Sequence, residues 1–373
     1  VTQGPRVREF EEKFAAYVGA PHAIAVSSCT TALHLALIVA GIQAGDEVIC
    51  PSMSYIATSN SILYCGARPV FAEVEPGTYN IDIGHVRGLI TPKTRAVLLV
   101  HQMGMPADID AYSELCGKAG LVLIEDAACA IGSAYKGNRI GSHTDLACFS
   151  FHPRKVITTG DGGMITTRRE DHADRLRLLR QHGMSVNDRA RHESREVIFE
   201  DHLEVGYNYR MTDIQAAVGI KQLEKLDWIV SERRRIALAY NEAFTGIDCI
   251  RVPAEPVDRF SNFQSYSLYI GEDAPLSRNE LMARLLEKGI ATRRGIMTSH
   301  RTTAYHRIFG SLSLPISEDL SDRSIILPLF AGMKEEETGH VIDSVLRLVG
   351  KRSGPVPGRR RGRERTEEAR KEP

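Results

Sequence analysis

Four apolar runs constrain this chain more than any other feature: Glu47-Val-Ile-Cys50, Pro69-Val-Phe-Ala-Glu-Val74, Ala96-Val-Leu-Leu-Val100 and Leu121-Val-Leu-Ile-Glu-Asp126. Segments with helical character lie between them, one opening at Tyr55–Tyr64 and one spanning Ile109–Ala119. Strands that are apolar along their whole length need cover on both faces, and intervening helices supply it. The expected class is therefore α/β with a mainly parallel sheet. In such sheets ligands bind beyond the carboxyl ends of the strands. An amphipathic helix over Val7–Val18, apolar at 7, 10, 14, 15 and 18, and a short strand at Ala23–Val26 precede this array.

Three features at strand ends carry possible chemistry. Ser27-Ser-Cys-Thr-Thr31 follows the first strand and opens the apolar helix Ala32–Ala40. Free backbone N–H groups, hydroxyls and the positive end of the helix dipole make an anion site there, or simply an N-cap, which needs only one such residue. Asp126 ends a buried strand, either as a helix cap or as the charge partner of a cationic heterocycle; the small residues Ala127-Ala-Cys-Ala-Ile-Gly132 leave room for a flat ligand. The third is Phe149-Ser-Phe-His-Pro-Arg-Lys-Val-Ile-Thr-Thr-Gly-Asp-Gly-Gly163. It reads as a strand from Leu146 to Phe151, a turn at Pro153, Lys155, a Thr/Gly-rich turn and a second strand, Met164–Thr167. An amine beside closely approaching backbone in a partly desolvated pocket suits Schiff-base chemistry. Taken alone, the stretch also reads as a surface lysine in a turn.

After a basic helix over Arg169–His182, residues 184–203 are polar and patternless, which predicts a mobile loop. Gly206-Tyr-Asn-Tyr-Arg-Met-Thr-Asp-Ile-Gln-Ala-Ala217 opens a long helix running to Phe244, read as a connector. A strand at Ser265–Ile270, a helix at Arg278–Lys288, a short strand at Ile325–Leu327 and a final helix at Glu335–Leu348 follow. The expected layout is a large domain over 1–244, a small α+β domain over 245–350 and a disordered charged tail over 351–373, basic at Arg359-Arg-Arg-Arg-Gly-Arg. Lys+Arg and Asp+Glu number 47 each, so no global charge draws the chain to nucleic acid or a membrane surface. Seven scattered cysteines without a CxxC pair fit thiols in a reducing compartment rather than disulfides or zinc. No signal peptide and no bilayer-spanning apolar run is present, so a cytoplasmic protein is expected. Val1 opens inside a turn-like Thr-Gln-Gly-Pro, which reads as a point within a chain rather than a true N-terminus.

Five motifs in order, Ser-Ser-Cys-Thr-Thr-Ala-Leu-His-Leu (27–35), Ile-Glu-Asp-Ala-Ala (124–128), Phe-Ser-Phe-His-Pro-Arg-Lys (149–155), Thr-Thr-Gly-Asp-Gly-Gly (158–163) and Gly206–Ala217, resemble the DegT/StrS-like sugar aminotransferases over about residues 1 to 350. The resemblance implies the aspartate-aminotransferase fold (fold type I), a seven-stranded-type sheet in the large domain, and pyridoxal 5'-phosphate (PLP) as cofactor. It implies that Lys155 holds PLP as the internal aldimine, then acts as proton shuttle on the way to a PMP form, and that Asp126 pairs with the pyridine nitrogen. It further implies Cys29, Thr30 and Ser150 as phosphate donors, Tyr55 stacked on the ring, and Asn208 reaching the phosphate of a neighbouring subunit in a homodimer with shared active sites.

Two positions depart from the family pattern: Cys29 stands where Gly is usual, and Cys129 where His or Gln commonly lies near the phenolic oxygen. A thiol is a weak donor, so that oxygen meets a different environment here. The implied reaction is transfer of an amino group from an amino acid, L-glutamate, to a keto sugar that is nucleotide-linked. A keto-cyclitol acceptor is the alternative and a PLP-binding regulator a remote one, since no helix-turn-helix precedes the first strand. Lys155 disfavours a dehydratase, in which histidine replaces it. Gln3, Gly4, His101, Arg293, Arg294 and His300 are the candidates for the sugar pocket.

Overall fold

The computed structural model describes residues 3–185 and 199–350. The 351–373 tail and most of the loop read at 184–203 lie outside the described residues.

Nine strands form in the first half: β1 (His22–Val26), β2 (Glu47–Pro51), β3 (Arg68–Ala72), β4 (Thr94–Val100), β5 (Val122–Asp126), β6 (Ala134–Tyr135), β7 (Asn138–Arg139), β8 (Ala147–Ser150) and β9 (Gly163–Thr167). Seven of them make one sheet in the order β1-β9-β8-β5-β4-β2-β3. β2, β3, β4, β5 and β8 pair in parallel, and β9 runs antiparallel to both β8 and β1. The expected mainly parallel sheet is therefore present, with β9 reversed because the Lys155 turn returns the chain directly beside β8.

Helices α1 (Pro5–Val18), α2 (Cys29–Val39), α3 (Ala57–Tyr64), α4 (Ile83–Leu89), α5 (Ile109–Ala119) and α6 (Glu170–Leu179) cover the faces. Successive strand residues enter opposite cores. Ala25, Val97, Leu99 and Phe149 join Phe10 and Phe14 of α1 on one side. Val26, Leu98, Ile124 and Cys148 join Leu33, Leu37 and Leu176 of α2 and α6 on the other. Each such large apolar side chain stabilises the fold by roughly 1.5–3 kcal/mol relative to exposure.

The helix expected to run unbroken to Phe244 is two: α7 (Asp213–Leu223) and α8 (Leu226–Phe244). Its start is set by a capping box, in which the Thr212 hydroxyl accepts from the Gln215 N–H and the Gln215 side chain accepts from the Thr212 N–H. α7 lies so close to α1 that a Cβ on Gly219 would meet the Phe10 ring at 2.7 Å. α8 instead carries Ile236, Ala237, Tyr240 and Phe244 into a separate core. The division between the cores falls within α8, whose Leu226, Ile229 and Val230 still pack with α7 in the first core.

That second core surrounds a four-stranded sheet of β10 (Ile250–Arg251), β12 (Tyr266–Ile270), β14 (Ser324–Leu327) and β13 (Arg293–Arg294), in that order. The pair β11 (Arg259–Phe260) and β6 joins the two regions. α9 (Arg278–Glu287), α10 (Thr303–Phe309), α11 (Pro315–Arg323) and α12 (Glu335–Leu348) complete it. The very short strands lack a period long enough to read in the sequence. Among the described residues no helix is long and apolar enough to cross a membrane.

Consecutive carboxylates end β5, pointing to opposite faces. Glu125 is fully buried and accepts from His101 Nε2 at 2.7 Å and the Thr144 hydroxyl at 2.6 Å. His101 Nδ1 accepts from the Ala107 N–H at 3.1 Å, which assigns the ring proton to Nε2. Burial pushes the Glu125 pKa up, but the His101 and Thr144 contacts outweigh it and hold the carboxyl below its ordinary range.

Two outcomes follow from this packing. A Cβ on Gly163 would meet Ser28 backbone atoms at 2.5 Å, whereas one on the helical Gly117 meets nothing within 4 Å. In denaturant melts Gly163→Ala is expected to cost about 1–3 kcal/mol, and Gly117→Ala to add about 0.5–1 kcal/mol. Because the folded pKa of Glu125 is depressed, its stabilisation is present above the ordinary value of 4.5 and is lost as pH falls through the folded value. The stability gap between the native chain and Glu125→Gln should therefore be widest near neutral pH and narrow in acid.

Candidate active site

The carboxyl ends of β2, β4, β5 and β8 gather Ser52–Tyr55, His101, Asp126 and Ser150 along one edge of the sheet. The Lys155 turn between β8 and β9 opens onto the same edge. Gly163 begins β9 between Ser150 of β8 and Val26 of β1, and its missing side chain lets β9 press against the Ser28–Cys29 turn. The lysine turn and the α2 N-terminus are thus held side by side.

Ser27–Thr31 divides its labour. Ser28 caps α2 and exchanges hydrogen bonds with Thr31, the N–H of each meeting the hydroxyl of the other. That reciprocal cap leaves the backbone N–H groups of Cys29 and Thr30 in the first turn, without partners inside the helix. The capping hydroxyl and these free N–H groups thus sit on different residues.

The Lys155 turn is tied down by its own backbone. Lys155 N donates to His152 O at 2.9 Å, and the Thr158 hydroxyl and Thr159 N donate to Phe151 O at 2.8 and 3.0 Å. Gln264 Nε2 donates to Arg154 O at 3.0 Å from the start of the C-terminal region. The Lys155 amine donates to Cys129 Sγ at 3.1 Å. Burial works to lower the lysine pKa, but the facing Cys129 sulfur, with Asp126 beyond it, reverses this and the net direction is up. Cys29 feels Asp126, Lys155 and Cys129 in turn, and burial drives its thiol far up, so it stays neutral. Lys155, Asp126, Cys29 and Cys129 therefore form one electrostatic neighbourhood.

Asp126 is buried, at 5% exposure. Its Oδ1 accepts from Ala128 N at 3.1 Å and its Oδ2 from the Thr58 hydroxyl at 2.8 Å. The Cys129 loop is pinned by Asn262, whose Nδ2 donates to Cys129 O at 2.8 Å and Ile131 O at 2.7 Å. Arg233 of α8 holds the same segment by donating to the carbonyls of Phe263 and Gln264 at 3.0 and 2.5 Å. Thr58, Asn262, Gln264 and Arg233 were not identified from sequence. Arg233 had a signal, being a charged residue in the apolar register of its helix; the polar run Ser261-Asn-Phe-Gln-Ser265 had none before its contacts were seen.

The remaining expected residues divide sharply. Tyr55 is 68% exposed and precedes α3, which starts at Ala57 rather than at Tyr55. Asn208 is exposed on a segment that bridges Gln181, while Tyr209 O in that segment accepts from Ser27 N beside the α2 cup. Gln3 holds a positive φ of 53°, and a Cβ on Gly4 would strike the Asp213 carboxylate, so both pack on the start of α7. Arg293 and Arg294 are exposed on the edge strand β13. The two histidines are buried and hydrogen-bonded within the protein. His101 is fully buried with both nitrogens engaged, as above. His300 is 4% exposed, held by the Ser52 hydroxyl at 2.6 Å and Glu318 at 3.1 Å. Their polar spacing in sequence could not reveal that each pairs with a buried carboxylate or hydroxyl.

PLP brings an aldehyde, a pyridine nitrogen and a phosphate, and the donor set fits each: an amine at Lys155, an acceptor-only carboxylate at Asp126, and N–H and hydroxyl donors at Cys29, Thr30 and Ser150. The Gly163 contact brings the last group within the same edge as the first two.

Comparison with known proteins agrees. A profile of the DegT/DnrJ/EryC1/StrS aminotransferase family matches residues 1–346. GDP-perosamine synthase of Caulobacter vibrioides is 40% identical over 340 residues, covering 91% of this chain and 89% of that one. Spore coat polysaccharide biosynthesis protein SpsC of Bacillus subtilis is 38% identical over 353 residues, covering 94% and 91%. Among solved structures, S. venezuelae DesV has a TM-score of 0.86 at 35% identity, covering 94% of this chain and 91% of that one. Spr1654 of Streptococcus pneumoniae, solved in PLP and PMP forms, has TM-scores of 0.87 and 0.88 at 28% identity, covering 94% of this chain and 92% and 93% of those. The chain belongs to the DegT/DnrJ/EryC1/StrS aminotransferase family, and is a PLP-dependent sugar aminotransferase of fold type I.

Proposed function

We propose that this chain moves the amino group of L-glutamate onto a nucleotide-linked keto-deoxysugar in the cytoplasm, with Lys155 as the residue that holds the cofactor and carries the proton. The observation that carries this reading is the convergence of the Lys155 amine, the Asp126 carboxylate and the open turn of α2 on one sheet edge. When bound, PLP supplies an electron sink for the carbon that gains or loses nitrogen. Asp126, oriented by two donors, would pair with the pyridine nitrogen and keep its proton in place. The N–H groups of Cys29 and Thr30, with the hydroxyls of Thr30 and Ser150, take the phosphate. The Lys155 amine would take up the proton that the amino acid's α-carbon loses and, in the return half-reaction, would give one to the sugar carbon that gains nitrogen. Cys129 keeps the amine aimed by accepting from it, in place of a stronger donor.

Two observations support the acceptor class. The Caulobacter relative is named for a GDP-linked sugar, and the exposed guanidinium groups of Arg293 and Arg294 suit bidentate contact with a diphosphate. The exposure of Tyr55 and Asn208 supports a homodimer in which a second subunit covers the open side and Asn208 reaches the neighbour's phosphate.

Lys155→Ala is expected to abolish turnover. Asp126→Asn should retain PLP yet slow α-proton removal by about 10²-fold or more, followed by single-turnover absorbance. A free nucleoside diphosphate should compete with the sugar; an acceptor whose amination is indifferent to it, such as a free cyclitol, would overturn the nucleotide-linked assignment.

A further inference from the structure

The Asp126 carboxylate sits at the end of a buried hydroxyl chain, of which the reaction as described uses only the last donor. Thr58 Oγ1 donates to Asp126 Oδ2 at 2.8 Å, and Ser54 Oγ lies 2.7 Å from Thr58 Oγ1. A hydroxyl has one proton. Since that of Thr58 is spent on the carboxylate, Ser54 must be the donor in the second bond, and the chain has a fixed direction from Ser54 through Thr58 to Asp126. All three residues are buried, at 3%, 2% and 5% exposure, where such bonds polarise one another and are stronger than in water.

The turn that carries this chain is fastened from the C-terminal region. Ser299 N donates to Ser52 O at 2.7 Å, His300 Nδ1 meets the Ser52 hydroxyl at 2.6 Å, and the Ser59 hydroxyl donates to Ser299 Oγ at 3.3 Å. Met53 and Thr298 form a β-bridge between the same two segments. Residues 298–300 therefore hold the 52–59 turn on both sides of Ser54 and Thr58.

We propose that Thr58, backed by Ser54, is a positioning residue for the sugar aminotransferase reaction. It holds Asp126 in one rotamer with both oxygens accepting, so that the carboxylate presents a lone pair to the ring nitrogen. Ala128 N–H fixes the other oxygen. Losing Thr58 leaves Asp126 free to turn and deprives it of one of its two donors. The inference rests on the pairing role given to Asp126 above, and the test separates the two.

The native chain, Thr58→Val, Thr58→Ser, Asp126→Asn and the double variant Thr58→Val/Asp126→Asn are loaded with PLP. The bound cofactor's absorbance, its affinity and the single-turnover rate with amino acid are then measured, with thermal melts as a check on folding. Thr58→Val should slow the single turnover roughly tenfold and alter the absorbance of the bound cofactor, while Thr58→Ser restores both to within about twofold of native. In the Asp126→Asn background Thr58→Val should cost no further rate, because the group it orients is gone. A native-like rate in Thr58→Val, or an equal loss with and without Asp126, overturns the positioning role. Native-like rate and absorbance in Asp126→Asn would instead overturn the reading of Asp126 itself.

Discussion

A carboxylate removed from water at the end of an apolar strand is the constraint on which the site depends. Left alone, an ionised Asp126 would lose several kcal/mol of hydration. The fold offsets that loss with two directed donors and a nearby cation. The Ala128 N–H comes from the turn that leaves β5, the Thr58 hydroxyl from α3, and the Lys155 amine from the loop after β8. Three separate segments must reach the same point for the charge to be tolerated. The thiols around it, Cys29, Cys50 and Cys148, are driven upward by burial and by Asp126 itself, so they add no competing charge.

The second layer of order comes from the C-terminal region. Asn262 holds the Cys129 loop and Gln264 holds the Lys155 turn, so one short segment sets the distance between the amine and the sulfur that faces it. That segment is itself fixed by Arg233, whose pKa is pulled down to about 10 by burial but which still carries its charge at neutral pH. Because α8 shares its length between both cores, a shift of the C-terminal sheet would be felt at Lys155 through Arg233 and Gln264. The placement of catalytic groups at a sheet edge and their fine adjustment thus have different structural sources.

Much of the frame was legible in the sequence because it rests on local periodicity. The strands ending at Cys50, Val100 and Asp126 are apolar without interruption, and only a sheet covered on both faces hides such runs. The ordered motifs around Cys29, Asp126 and Lys155 made the family resemblance readable as well. What escaped depends on contacts between residues far apart in sequence. His101 and His300 were read only as polar candidates, yet the fold buries both and hydrogen-bonds them, to Glu125 in one case and to Ser52 and Glu318 in the other. Thr58 looked like one hydroxyl among several at the start of a helix. Only the fold brings it 68 positions along the chain to Asp126. The broken helix at Glu224–Lys225 was hidden because neither residue is a helix breaker.

The central claim is that Lys155 alone among the lysines holds the cofactor in a site built around Asp126. Borohydride reduction of the PLP-loaded protein, followed by peptide mapping, tests it most directly, because reduction fixes the cofactor to whichever amine carries it. The account predicts a single phosphopyridoxyl label on Lys155. A label on any other lysine, or a loaded protein that takes none, would contradict it.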